Sequence, residues 1–487
     1  MKKIKILSYS SLSILPFTLT AGNSKTQIET KPNIILIYAD DVGYGDLSCY
    51  GYSKIPTPNV DKLATEGIRF TNAHCVSATS TPSRYSLLTG EYAWRNQGTG
   101  IAAGDAAMII KPERLTMPRM MQVAGYKTAA IGKWHLGLGN ETGKQDWNGL
   151  ITPGLAELGF DYSYIMAATS DRTPCVFIQN GRVVNLDPKD PISVSYTQNF
   201  PGESTGRDNP ELLRLHPSHT HDQAIVNGVS RIGYMKGGKS ALWIDENIAD
   251  SITDKALGFI EQNKNQPFFL YFGTQDVHVP RLPHPRFAGK SGLGPRGDAV
   301  LEFDWIVGEV TKKLQELGLE DNTILILSSD NGPVIDDGYQ DKAAELLGSH
   351  KPWGPFRGGK YSGFEAGTRI PQLIRWPLKI KPAVSKTLVS QIDWYASFAK
   401  LIGYKLKSNE APDSRNDLNT LLGRGIKNRD FVVEQNRNNV LGIVIGDWKY
   451  IEPSKFAEMN KDTNTEMGNS PKPQLYNLKT DPGETTN

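Results

Sequence analysis

Four short runs of apolar residues, each giving way at once to ionic or amide side chains, constrain this chain more than any other feature. Ile34 to Tyr38 leads into Asp40-Asp41, and Thr128 to Ile131 leads into Lys133 and His135. Phe268 to Phe272 leads into Asp276 and His278, and Thr323 to Leu327 leads into Asp330-Asn331. The lack of apolar–polar alternation predicts strands buried on both faces, which is the condition of parallel strands covered by helices. Helical patterns lie between them at Val60 to Glu66, Leu115 to Val123, Ile248 to Gln262 and Ala299 to Leu317. The fold class is therefore α/β: a sandwich with a large, mostly parallel central sheet. In such sheets ligands bind beyond the carboxyl ends of the strands. Four strand ends bearing ionic groups predict that the site lies there.

Two regions depart from this pattern. Residues 167–239 form a long polar insertion rich in Pro, Asn, Ser and His, of the kind that is usually functional or disordered. It carries Asp171, Arg172, His216, His219 and His221, which can pair with sugar hydroxyls. After Pro377 comes a helix over Gln391 to Ile402. Short antiparallel strands follow at Phe431 to Val433, Val440 to Ile445 and Trp448 to Glu452. The expected division is a leader over 1–22, a catalytic domain over 23–428 and a small C-terminal antiparallel subdomain over 429–487. Lys2, Lys3 and Lys5 followed by the modestly apolar Ile6 to Ala21 read as an export signal. The run is too short and serine-rich for a membrane span. With 54 Lys and Arg against 52 Asp and Glu, no global field points to nucleic acid. Cys49, Cys75 and Cys175 are an odd count, so at least one thiol is free, and they make neither a disulfide scaffold nor a zinc site.

Ser80-Thr81-Pro82-Ser83-Arg84, running to Gly90, reads as a polar turn entering a short helix. Thr81 is the expected cap, Pro82 the first helical residue and Gly90 the stop. Ser80 would lie just ahead of a helix N-terminus, where an anion is favoured, with Arg84 one turn later. Adjacent carboxylates such as Asp40 and Asp41 repel unless a cation joins them. With Asp330 and the amide of Asn331 they form a hard oxygen set, suited to calcium or magnesium rather than zinc.

Taken in order, these segments resemble the type I sulfatases. Ser80, Pro82, Ser83, Arg84, Thr89 and Gly90 fit that family's signature, and Gly132-Lys133-Trp134-His135-Leu136-Gly137 matches its lysine–histidine segment. Gln275 to Pro280 carries the His-x-Pro pattern at His278. Lys360 precedes a Glu365-to-Pro371 stretch in which Ala366 replaces a glycine and Arg369 reads as structural. Gln474 to Leu478 and Asp481 to Glu484 are similar to the family's usual ending. The resemblance implies an alkaline-phosphatase-like fold and conversion of Ser80 to formylglycine by an anaerobic radical maturation enzyme. It implies a calcium site of Asp40, Asp41, Asp330 and Asn331 with the residue-80 hydroxyl on the metal, magnesium being the lesser candidate. It further implies that Lys133 binds sulfate oxygens, with Arg84, Lys133 and Lys360 supplying positive charge around them. His278 and Lys360 protonate the leaving oxygen, and His135 takes the proton that lets sulfate depart. Plain serine lacks the second hydroxyl needed for that last step. Asp41 to Leu47 is similar to the arylsulfatase A and N-acetylgalactosamine-sulfatase branch. A secreted, periplasmic enzyme acting on sulfated galactose or N-acetylgalactosamine of a host or algal glycan is the expectation, with Asp171, Arg172 and His221 reading the sugar. Two readings stay open beside it: a phosphohydrolase using Ser80 directly, and a glycan-binding relative with an unconverted serine.

Overall fold

The four apolar runs become four neighbouring strands. In the computed structural model, which describes residue 1, residues 31–425 and residues 429–487, β1 spans Asn33–Ala39 and all of its side chains are buried. The rest of the central sheet comprises β2 (Ile68–Phe70), β3 (Lys127–Lys133), β4 (Tyr162–Met166), β5 (Phe177–Gln179), β6 (Arg182–Val183), β7 (Phe268–Gly273), β8 (Thr323–Ser329), β9 (Gln372–Arg375) and β10 (Ala383–Ser385). The order is β10-β2-β9-β8-β1-β7-β3-β4-β5-β6. From β8 through β1, β7 and β3 to β4 every pairing is parallel, so the expected ionic strand ends share one edge. The antiparallel pairings of β9 with β8 and β2, and of β5 with β4 and β6, make the sheet mixed at its flanks. The flanking strands escape a sequence reading because they are short and interrupted by polar residues. Burial, not continuous hydrophobicity, makes them strands.

The helices longer than one turn are α1 (Pro58–Glu66), α2 (Ser80–Thr89), α3 (Met117–Val123), α4 (Ile248–Gln262), α5 (Gly294–Glu316) and α6 (Trp394–Ile402). α4 packs on α5 and α5 on α1, while α2, α3 and α6 pack on one another. α5 begins five residues earlier than its apolar pattern. Buried Asp298 accepts from Gly289 N and Ser291 N and Oγ, which ties the polar first turn to the preceding loop. The expected helix over Gln391 to Ile402 opens as a 3-10 turn before α6.

At the C-terminal end, β11 (Val432–Gln435), β12 (Leu441–Ile445), β13 (Trp448–Ile451) and β14 (Gln474–Asn477) form an antiparallel sheet in that order. Buried Lys449 of β13 reaches Glu365 Oε1 and Glu434 Oε2, both at 3.0 Å, and His74 Nδ1 lies 2.6 Å from Glu434 Oε1. Breaking a buried ionic cluster of this kind costs several kcal/mol because it strands a charge, ~3–5 in typical cases. Residues Pro32–Asn487 form one compact unit. The expected leader over 1–22 lies, beyond its first residue, outside the described residues, as do residues 426–428 beside the expected domain boundary. All three cysteines are free thiols. Among the described residues no helix is long and apolar enough to cross a membrane. The insertion is neither disordered nor regular. It holds β5 and β6, then two small ribbons, Ser193–Ser195 with Tyr234–Lys236 and Ile225–Val226 with Val229–Ser230.

Candidate active site

The parallel register sets Ala39 opposite Ser329, so Asp40 and Asp330 emerge side by side. Asp330 N donates to Ala39 O at 3.2 Å, and Asp41 N donates to Asp330 Oδ1 at 3.3 Å. β3 brings Lys133 to the same edge. Its predecessor Gly132 has φ +91°, and a Cβ there would lie 1.9 Å from Gly273 O of β7. Only glycine admits that approach, and it draws Lys133 against β7.

α2 carries Ser80 over this edge, with a correction to its expected start. Thr79, in extended conformation, is the N-cap position, and Ser80 is the first helical residue. Thr81 is inside the helix, where its Oγ1 donates to His135 O at 3.0 Å and accepts from Ala102 N at 3.1 Å. It ties the helix to neighbouring loops instead of capping it. Gly90 ends α2 in the left-handed conformation, as expected, and donates to Ser86 O.

Lys133 Nζ lies 2.8 Å from Ser80 Oγ and 2.6 Å from Asp40 Oδ1, with Asp330 Oδ2 at 3.4 Å. Ser80 Oγ also reaches Asn331 Oδ1 at 3.2 Å. Lys360 Nζ sits between Asp41 Oδ2 and Asp337 Oδ2, each at 2.8 Å. Arg84 is fully buried beneath these groups and is not on the cavity wall. It donates to Asp330 Oδ2 at 3.0 Å and Tyr271 Oη at 2.8 Å, and stacks on Tyr38. A guanidinium so engaged holds Asp330 in place and adds fixed positive charge beneath the cavity floor.

The histidine tautomers follow from their partners, since a carbonyl only accepts. His135 Nε2–H donates to Ala102 O at 3.0 Å, leaving Nδ1 buried and without a partner. His278 Nδ1–H donates to Val279 O at 2.7 Å, leaving Nε2 at 3.9 Å from Asp41. Burial, reinforced by Lys133 beside His135 and by Lys360 beside His278, holds both imidazoles well below the usual histidine range. Both are neutral bases at pH 7. Lys360, despite its burial, is held well above the usual lysine range by Asp337 and Asp41, and it keeps its proton.

The donor set fits a hard cation. Four carboxyl groups, Asp40, Asp41, Asp330 and Asp337, face three cationic side chains, Arg84, Lys133 and Lys360, so one carboxyl has no cation of its own. Burial pushes Asp40 up to about 8 against the pull of Lys133, with Asp330 and Asp41 adding to the rise, and Asp40 Oδ2 has no partner. Asp40, Asp41 and His278 each present a ligand atom within 4.8 Å of the others. Of the expected ligands, Asp330 is committed to Arg84. Asn331 directs Oδ1 at Ser80 while its Nδ2 donates to Asp41 Oδ1 at 2.7 Å. In a second group of potential ligands, His74, Glu365 and Glu434, the two carboxylates already hold the ammonium of Lys449.

A cavity of about 700 Å3 opens above Ser80, His135, His278 and Lys360. One wall is the expected sugar-reading group: buried Asp171 accepts from Arg172 NH1 at 2.9 Å and pairs with His221 Nε2 at 2.8 Å. Burial opposes ionisation, yet the Arg172 guanidinium and the hydrogen bond from His221 hold Asp171 below the usual carboxylate range. His219 is on the wall; His216 is not, and its carbonyl accepts from Gln340 N. Sequence reading missed Asp337 and Tyr361, which line the cavity and bond each other at 2.8 Å. The Asp336-Asp337 pair soon after Asp330 was an available signal. It also missed Arg437, Asn460, Asp462 and Thr463, which arrive from the C-terminal region without any local pattern.

A mixed α/β sheet with paired aspartates, two lysines and a helix-start hydroxyl at its carboxyl edge defines a sulfatase of alkaline-phosphatase-like fold. Residues 32–404 match the sulfatase family, the chain belongs to it, and it is a sulfuric ester hydrolase of the arylsulfatase A-like branch. It is 56% identical over 474 residues to an N-acetylgalactosamine-6-O-sulfatase of Bacteroides thetaiotaomicron, covering 96% of this chain and 93% of that one. Human arylsulfatase A is 30% identical over 478 residues, covering 94% and 83%. A solved B. thetaiotaomicron sulfatase, described in connection with the metabolism of multiple glycosaminoglycans, superposes with TM-score 0.93 at 57% identity, covering 94% and 95%.

Proposed function

We propose that this enzyme removes 6-O-sulfate from N-acetylgalactosamine units of a glycan, in the periplasm, after conversion of Ser80 to formylglycine. The observation that carries this reading is Ser80 Oγ, 2.8 Å from Lys133 on the cavity floor, below the His221–Asp171–Arg172 wall. The chain's 56% identity to an N-acetylgalactosamine-6-O-sulfatase supports the choice of sugar and position. Calcium, held by Asp40, Asp41, Asp330 and Asn331 near residue 80, supplies Lewis-acid stabilisation when bound. The formylglycine supplies the hydrated aldehyde nucleophile.

The chain's own residues do the rest. Lys133 and Lys360 place fixed positive charge on either side of the sulfate oxygens, in a buried setting where it acts strongly. Arg84 keeps Asp330 oriented and ionised. Lys360 carries a proton on the leaving-group side, and His278 Nε2 faces the same space. His278 becomes the acid once the sulfate monoanion raises its affinity for a proton. Neutral His135, with Nδ1 free, accepts the proton whose removal expels sulfate. Asp171, Arg172 and His221 present both a donor and acceptors to the sugar hydroxyls, including the axial O4 of the galacto configuration.

The test is co-expression with an anaerobic radical maturation enzyme. The peptide carrying Ser80 should lose two hydrogens by mass spectrometry. The matured protein should release sulfate from N-acetylgalactosamine 6-sulfate faster than from its 4-sulfate or from N-acetylglucosamine 6-sulfate. Full turnover with unmodified serine would favour the direct phosphohydrolase-type reading, and a gluco preference would remove the sugar assignment.

A further inference from the structure

Arg437 stands at the cavity rim without an ionic partner. Each other cationic group on the wall is engaged. Lys360 is held by Asp41 and Asp337, Arg172 by Asp171, and Arg207 NH2 by Asp222 Oδ1 at 2.7 Å. His219 Nδ1 lies 3.1 Å from Ser218 Oγ and 3.9 Å from Asp336. Among the described residues Arg437 has no carboxylate within ion-pairing distance, and Asp462 on the same wall makes no pair with it. Its guanidinium stacks over Tyr361, 5.1 Å from the ring centroid, and this leaves its N–H groups free at the rim.

Arg437 is exposed, but the turn that carries it is fixed. Arg437 N donates to Tyr361 O at 3.1 Å. Buried Asn436 closes the turn, accepting from Asn438 N at 2.8 Å and Val440 N at 3.1 Å while its Nδ2 donates to Asn469 Oδ1 at 2.9 Å. The ribbon of Met459–Asn460 with Thr465–Glu466 brings Asn460 onto the same cavity. Arg357 clamps that ribbon through Glu466 at 2.7 and 2.9 Å. Asn460 Oδ1 accepts from Asp462 N at 3.2 Å, but its Nδ2 is buried and donates to nothing. An unpaired guanidinium from a turn and an unpaired amide donor from the end of a ribbon strand share one cavity with Ser80.

We infer that Arg437 and Asn460 form a second anion subsite, which binds a carboxylate or sulfate of the substrate other than the ester being cleaved. The inference rests on the sulfated-galactosamine reading and narrows it: the preferred substrate carries two oxyanions. The second is either a further sulfate on the same sugar or the carboxylate of a linked hexuronate. Both suit a guanidinium with free N–H groups.

On the proposed mechanism, protein with unmodified Ser80 cannot complete turnover, so binding is read directly in it. Calorimetric titration in calcium would compare N-acetylgalactosamine 6-sulfate with its 4,6-disulfate. A 6-sulfated disaccharide bearing an unsaturated hexuronate, and the methyl ester of that disaccharide, complete the series. At least one doubly anionic sugar should bind roughly tenfold or more tightly than the monosulfate. Arg437→Ala should bring that preference within about twofold of unity, Arg437→Lys should keep part of it, and monosulfate affinity should hold in both, reporting an intact fold. Preference for the disulfate identifies a second sulfate; preference for the disaccharide that its methyl ester loses identifies the hexuronate. No preference in the parent protein, preference surviving in Arg437→Ala, or equal weakening of every sugar would overturn the inference. Sulfate release by the matured protein separates the two readings: release from N-acetylgalactosamine 6-sulfate without a second-anion preference refutes only this subsite.

Discussion

Replacing Lys133 by Met isolates the electrostatic logic of the site. The ammonium is buried, donates to Asp40 at 2.6 Å and Ser80 at 2.8 Å, and lies 3.4 Å from Asp330. Methionine preserves the bulk but leaves Asp40, Asp41, Asp330 and Asp337 facing two cations, Arg84 and Lys360. Leaving a buried charge uncompensated costs about 3–5 kcal/mol. That figure is the upper bound when divalent metal is chelated, because Asp40, already raised to about 8, takes up a proton in place of the lost cation. In saturating calcium the cation takes over the lost neutralisation, and the stability deficit should shrink to less than half. Calcium affinity should rise, because a competing positive charge has left its ligands. Activity should not recover with it: loss of a donor beside Ser80 should lower kcat by roughly 100- to 1000-fold. Urea unfolding of the parent and Lys133→Met proteins, each in chelator and in calcium, measures the difference, and calorimetry gives the calcium affinity. Equal destabilisation in both buffers would refute the reasoning, since Lys133 and calcium would then not share a carboxylate cluster.

Two further outcomes are expected of the histidines. His278→Ala should cut kcat/KM on a sugar sulfate by roughly 100-fold or more, while aryl sulfates, whose leaving group needs no proton, should lose little; equal loss on both would move His278 to sulfate binding. For His135 the folded pKa lies below the unfolded value, so the folded state binds fewer protons once pH falls under about 6.5. Its contribution to stability is complete above that pH and is lost on acidification, at up to ~1.4 kcal/mol per pH unit. Urea unfolding between about pH 7 and pH 5 should show that slope reduced by one proton's worth in His135→Gln; an unchanged slope would mean that His135 is not buried as a neutral base.

The sequence by itself determined the centre of the molecule. β1, β3, β7 and β8 are legible because a strand buried on both faces must be apolar throughout. The chemistry at their ends is legible because the chain changes abruptly from apolar to ionic there. Asp40, Asp41, Lys133, His135, His278, Asp330 and Asn331 are thus readable one strand at a time, and Ser80 from its helix start. Only the tertiary structure decided what those groups do to one another. Arg84 is legible as a fixed positive fork from its spacing, but that its partner is Asp330, beneath the cavity, is set by packing. His135 takes a fixed tautomer from the carbonyl of Ala102, 33 residues earlier, and burial, which the local sequence does not encode, makes both His135 and His278 neutral bases. Asp337, Tyr361, Arg437 and Asn460 reach the cavity from turns far along the chain, where no apolar run or periodicity marks them. The physical reason is the range of the forces. Burial of a strand writes a local hydrophobic pattern, whereas electrostatic compensation in a low-dielectric site depends on which charges the fold brings within a few ångströms, and that is a property of the whole chain.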